Sequence, residues 1–227
     1  MNKKLVIAID GPSASGKGTL AKKVARHFGL AFLNTGAIYR LVALRVIEKK
    51  FDPQNIDSEI SVLCANIREE DLENEKLFGE DVGSVASVIA KNQNLRKALF
   101  DFQRDFVEKG KREKNGCVLD GRDTATVIAP EADFKFFVTA DVEIRAKRRA
   151  AQLANVSYAE ILAHLKQRDE NDINRKDAPL KVADGAHIID NGNLSIEEGF
   201  QKILKIINSS AGRDLQSRPI VHAINKA

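Results

Sequence analysis

The sequence has no tryptophan and only two tyrosines, Tyr39 and Tyr158, among 227 residues. Binders of single-stranded nucleic acid build stacking platforms from such rings, so this composition gives no support to an RNA- or DNA-binding module. The two cysteines, Cys64 and Cys117, lie far apart and in no metal-ligand spacing. Two cysteines make no disulfide framework in a chain of this size, and both read as small buried hydrophobes. No apolar run approaches the ~20 residues of a membrane span, and residues 5–9 are too short for a signal-peptide core. The expectation is a soluble, cytoplasmic protein with no membrane partner. The four histidines at 27, 164, 187 and 222 fall in no motif, and the Asn-Lys-x-Asp signature of guanine recognition is missing. No internal repeat, low-complexity tract or linker divides the chain.

What is present suits one domain with a sizeable core: 43% of residues are hydrophobic and 30% charged. The net charge of +4 and pI of about 9.0 fit a protein that handles anions, without choosing which. Short apolar runs at residues 5–9, 31–33, 117–119, 134–139 and 187–190 read as strands, and amphipathic stretches between them read as helices. The alternation predicts an α/β fold with a parallel sheet covered on both faces. The expected helices cover residues 17–28, 38–48, 57–66, 84–90, 94–110, 158–168 and 195–207, with Gly29 as a stop, Asp57 or Ser58 as a cap, and Asp141 and Ser157 as further caps. The acidic stretch 67–83 predicts a small hairpin or loop excursion, and residues from 209 onward a loosely held tail.

The sharpest motif is Gly11-Pro12-Ser13-Ala14-Ser15-Gly16-Lys17-Gly18-Thr19, between an apolar strand and a helix. Glycines at 11 and 16 let successive N–H groups turn inward onto phosphate oxygens, and the helix start adds its positive dipole end. Lys17 reaches the β- and γ-phosphates, and Thr19 or Ser15 offers a hydroxyl to Mg²⁺ or phosphate. This predicts a nucleoside triphosphate site. Glycine follows the lysine and threonine comes one place later, a form closer to nucleoside monophosphate kinases than to switch GTPases.

Two further segments point to an acceptor. Arg40, after Asn34-Thr35-Gly36-Ala37-Ile38-Tyr39, lies on the first helical turn beyond a strand, where it can pair with a phosphate or simply face solvent. Asp120-Gly121-Arg122-Asp123 ends an apolar strand. Asp120 stands where a carboxylate would bind Mg²⁺, directly or through water, unless Asp-Gly is a hairpin turn. Arg145, Arg148, Arg149, Arg168 and Arg175 form a later basic series, suited either to a transferring phosphoryl group or to a charged helix face with local Asp169 and Asp172 partners.

Together, the loop at 11–19, Thr35-Gly36-Ala37-Ile38-Tyr39-Arg40, Asp120-Gly121-Arg122-Asp123 and Asn174-Arg175 followed by Ala178-Pro179-Leu180 resemble bacterial cytidylate kinase, in the same order and over about residues 5–205. The resemblance implies a five-stranded P-loop kinase core (about 1–56, 111–150 and 183–208), an acceptor-binding insertion (about 57–110) and a helical lid (about 151–182). It implies ATP or dATP as donor, Mg²⁺, and CMP or dCMP as acceptor; the expectation of a monomer comes instead from the sequence, in which no exposed apolar stripe stands out. By similarity, residues 11–19 hold ATP, with Lys17, Arg122 and Arg175 acting catalytically and Thr19 and Asp120 on the metal side. Arg40 and Arg122 would hold the acceptor phosphate, and Thr35 would also bind the substrate. Ser87, Arg96 and Asp123 would face cytosine, Arg168 and Asp172 the sugar, and Arg175 a phosphate.

Asp123 accepting from the cytosine 4-amino group would meet an acceptor instead in uracil, which leaves a desolvated polar group unpaired. The sequence departs from the family's usual pattern at Thr35, commonly serine, at Thr124-Ala125, commonly Met-Gly, and in a short insertion before Ser87. The rival expectations are a kinase for UMP, AMP or shikimate, which keeps the loop and loses the base reading, and a nucleotide-dependent switch or RNA-binding module.

Overall fold

The computed structural model describes residues 4–151 and 156–210. Five strands form one parallel sheet in the order β2-β3-β1-β4-β5: β1 Leu5–Asp10, β2 Ala31–Asn34, β3 Gly116–Gly121, β4 Phe134–Thr139 and β5 His187–Asp190. The expected tail lies, from 211 onward, outside the described residues, as does the 152–155 part of the expected lid.

Alternation along β1 divides the core. Val6 and Ala8 pack on one face with Ile38, Val42, Leu99 and Phe106. Leu5, Ile7 and Ile9 pack on the other with Leu20, Val24, Phe136, Phe200 and Ile203. Burial of both faces explains why the strands read as near-continuous apolar runs. The helices that cover them are α1 Lys17–Phe28, α2 Thr35–Lys49, α3 Ile60–Leu63, α4 Glu80–Ile89, α5 Gln93–Glu113, α6 Val142–Ala150, α7 Tyr158–Asn174 and α8 Ile196–Ser210. Gly29 ends α1 in the left-handed conformation, φ 62°. Asp141 caps α6 by accepting from Glu143 N, and Ser157 caps α7 by accepting from Glu160 N. No described helix is long and apolar enough to cross a membrane.

Several expectations are corrected. No hairpin forms at 67–83. Two 3₁₀ turns, Glu69–Glu73 and Glu75–Phe78, lead into α4. Asp71 accepts from Arg68 N and Asn74 from Lys76 N, which closes tight turns, while Leu77 packs against Ala37 and Leu41 of α2. Asp57 and Ser58 cap nothing. Asp57 accepts instead from the Asn92 and Asn94 side chains, and the helix there shrinks to a 3₁₀ turn, Asp57–Glu59, plus α3. Helix α2 begins at Thr35, three residues early, because Asn34 caps it from Ala37 N. Cys117 is buried but Cys64 only half-buried.

Candidate functional site

The connection after β1 leads to β2 on one side, and the connection after β3 leads to β4 on the other. Between neighbouring strands whose chains leave in opposite directions a crevice opens at the carboxyl ends, the usual ligand position in such sheets. The parallel pairing of β3 on both sides removes the hairpin alternative for Asp120-Gly121 and puts Asp120 beside the loop that follows β1.

The loop shape depends on its glycines. Gly11, at φ 152°, lies so close to β4 that a Cβ would sit 2.0 Å from Val138 O. Gly16, at φ 87°, caps α1, and its missing Cβ leaves room for the Asn191 amide. Asn191 Nδ2 donates to Ser15 O at 2.8 Å, and Arg145 donates to Ser13 O at 3.1 Å. Ser15 Oγ is buried without a hydrogen-bond partner among the described residues, whereas Thr19 is exposed on α1. Lys17 Nζ lies 3.7 Å from Asp120 Oδ1, an oxygen with no hydrogen bond of its own. Burial, and then the nearby Arg122, push the Lys17 ammonium down to about 8, against the opposing pull of Asp120.

Beside the loop lies a small pocket of about 70 Å³. Lys17, Thr35, Ser87, Arg96, Asp120, Arg122, Asp123, Arg168, Asp172 and Arg175 all line it, from α1, α2, α4, α5, β3 and α7 with the chain just beyond it. Asp123 is paired with Arg96, and with Arg175 Nη2 at 3.2 Å. Arg175 also donates from Nε to Ala178 O, so the structure puts its guanidinium against Asp123. Arg122 Nε donates to Asp172 Oδ2 at 2.7 Å. The Thr35 hydroxyl donates to Asp120 O. Ser87 Oγ and Arg168 Nε are buried without partners among the described residues. Burial, then repulsion from Arg122, lower Arg168 to about 10. A buried guanidinium with an idle donor is the signature of a place for an anion.

A second cavity, of about 650 Å³, adjoins the first and shares Ser87 and Arg168 with it. It runs between α4 and α7 past Ser13 and Ala14. Arg40 lines it, donating to Leu77 O and Gly79 O and lying over Gly83, where a Cβ would meet Arg40 Nη2 at 2.8 Å. The cleft is bridged by Arg149–Glu80 and by Lys91 Nζ to Asn171 Oδ1 at 2.9 Å.

Residues 7–209 match the profile of the cytidylate kinase family. The chain belongs to the cytidylate kinase family. A cytidylate kinase of Nitrobacter winogradskyi is 43% identical over 209 residues, 90% of this chain and 96% of its own length. One of Bartonella bacilliformis is 43% identical over 210 residues, 89% and 94% respectively. A solved structure of an uncharacterized protein from Eubacterium ventriosum shares the fold, with a TM-score of 0.54 at 18% identity over 91% of this chain and 99% of that one. Like its family, this chain is a phosphotransferase.

Three residues at the site, Asp10, Asn191 and Tyr39, escape the sequence reading, and a fourth, Arg145, stands there only as one of a basic series. Asp10 ends β1 and is buried, and an acid closing an apolar strand just before the loop was the available signal. Asn191 supports the loop from beyond β5 and carried no signal. Tyr39 lies under the Arg96 guanidinium, 5.7 Å from ring centroid to Cζ. Arg145, in the basic series, faces no solvent: it is 4% exposed and holds Asp169 of α7 through two bonds.

Proposed function

We propose that the chain transfers the γ-phosphoryl group of ATP, or dATP, to CMP and dCMP. The observation that carries this reading is the small pocket. There the loop lysine and Asp120 meet a ring of four arginines and two aspartates, beside a buried Ser87 hydroxyl with no partner among the described residues. Residues 11–19 would cradle the donor phosphates, with Lys17 on the β- and γ-groups. Arg40, Arg122 and Arg168, with Thr35 beside them, would receive the acceptor phosphate. Cytosine would exchange bonds with Asp123, Arg96 and Ser87, and Asp172 would take the sugar hydroxyls.

The acceptor phosphate is already an anion, so in-line attack needs no strong general base; Lys17 and the arginines, Arg175 included, position the groups and spread the charge. The loop also fits Mg²⁺. Asp120 Oδ1 is a buried hard oxygen without a hydrogen bond, and Ser15 Oγ, unlike the exposed Thr19, is a second. When bound with ATP, the ion would neutralise charge on the phosphate oxygens.

About 70 Å³ is well below the ~300 Å³ at which ligand pockets begin. The acceptor would therefore widen this pocket and extend into the larger cavity. Residues 57–110 would serve as the acceptor-binding insertion and 151–182 as the lid. The bridges Arg149–Glu80 and Lys91–Asn171 support a lid that packs on that insertion. The protein would act as a monomer.

An ADP-release assay with MgATP and CMP, dCMP, UMP, AMP or shikimate at matched concentrations tests this. Strong turnover with CMP and dCMP and little with the others is expected. Turnover led by another acceptor would remove the base assignments of Ser87, Arg96 and Asp123.

A further inference from the structure

Asp10 lines neither cavity, yet it holds the chain that carries the pocket's central carboxylate. It is 2% exposed and stands one residue before Gly11. Its Oδ1 accepts from Thr124 N at 2.9 Å and from Thr124 Oγ1 at 2.8 Å, and its Oδ2 accepts from Ala125 N at 2.8 Å. These donors open a single π-helical turn, Thr124–Ile128, which Asp123 precedes. The Asp123 carbonyl closes the same turn, accepting from Val127 N at 2.9 Å.

The first N–H groups of a helical turn have no partner within it, and a carboxylate that accepts them makes short, charge-assisted bonds. Asp123 is thus fastened on its carboxyl side by β1 and by its own turn. On its amino side the packing is close as well: a Cβ at Gly121 would lie 2.4 Å from Thr35 Oγ1 and 2.6 Å from Thr124 Cγ2.

We propose that Asp10 is a positioning residue that sets the Asp123 carboxylate against the phosphate loop and so governs discrimination between cytosine and uracil. The inference rests on the reading of Asp123 as the group that meets the base. Both Asp10 oxygens act as acceptors toward N–H or O–H groups. An asparagine of the same shape would turn an NH₂ toward an N–H and push the turn away. Burial raises the Asp10 carboxyl to about 6, and the bonds from Ala125 and Thr124 oppose that rise.

The test uses the full chain with MgATP and compares CMP and UMP for the parent, Asp10→Asn, Thr124→Val and Asp123→Asn. For Asp10→Asn, KM for CMP is expected to rise ~10-fold and the CMP:UMP ratio of kcat/KM to fall ~10-fold, with KM for ATP within about twofold. Thr124→Val removes one of the three bonds at nearly constant shape and should move the ratio the same way by ~3-fold. If Asp10→Asn does not fold, Thr124→Val alone decides. An unchanged ratio in these variants, with CMP and UMP slowed alike, overturns the proposal and leaves Asp10 a scaffold residue. If Asp123→Asn lowers the ratio while they do not, only the role of Asp10 falls. If Asp123→Asn itself keeps the ratio, the base reading falls and takes this inference with it.

Discussion

Gly18 and Asp120 stand so close that a Cβ at position 18 would lie 3.0 Å from Asp120 Oδ2. Phosphate loops commonly carry a serine or threonine directly after the lysine. Here a carboxylate from the neighbouring strand fills that space, and Gly18 is the residue that admits it.

Gly18→Ala should therefore push Asp120 aside and disturb its 3.7 Å approach to Lys17. The expected result is a ~10-fold loss of kcat with KM for CMP nearly constant, from initial-rate kinetics. An unaltered kcat would show that the carboxylate has no part in the reaction.

The buried Lys17 makes activity sensitive to alkali. Its ammonium titrates at about 8 in the empty site, so kcat/KM for ATP should fall as pH rises through about 8. Bound phosphates restore the charge, and kcat should hold to higher pH. Stability runs the other way. Between about 8 and the ordinary lysine value of 10.5 the native state holds fewer protons than the unfolded chain, so the contribution of Lys17 to stability grows as pH rises across that window. A kcat/KM profile flat to pH 9.5 would contradict the assignment.

Gly83→Ala separates binding from folding. The added methyl meets the far end of the Arg40 side chain, at 2.8 Å from Nη2, and not the backbone. KM for CMP should rise ~10-fold with KM for ATP unchanged. Thermal stability should hold or improve, since alanine favours a helix over glycine by ~1 kcal/mol. A lower melting temperature would mean that α4 has moved instead of Arg40.

Phe136 is fully buried at the centre of β4. Phe136→Ala should destabilise the fold by ~3–5 kcal/mol, read as a lower urea midpoint. A cost under ~1 kcal/mol would show a core able to collapse around the gap.

The strands and the loop were legible because each has a local cause. The apolar run of β1 stops just before Gly11, and Gly11 and Gly16 occupy backbone conformations and close approaches that few other residues tolerate. The excursion at 67–83 was legible only as a hairpin or loop; that it forms two 3₁₀ turns depends on Leu77 reaching α2. Two acidic partners in the basic series, Asp169 and Asp172, are visible in the sequence. That they pair with Arg145 and Arg122, 24 and 50 residues away, is a property of packing alone. Asp10 shows the same limit: its position was readable, but its donors lie 114 and 115 residues later.

The Arg96–Asp123–Arg175 cluster has a kinetic meaning. In the empty protein Asp123 is already engaged by two arginines, so a base that reached it would have to displace a partner. Selection then takes place during that swap. A base that displaced an arginine from Asp123 without offering it an acceptor would strand that guanidinium in a desolvated pocket and leave again before transfer, whatever its affinity for the open cleft.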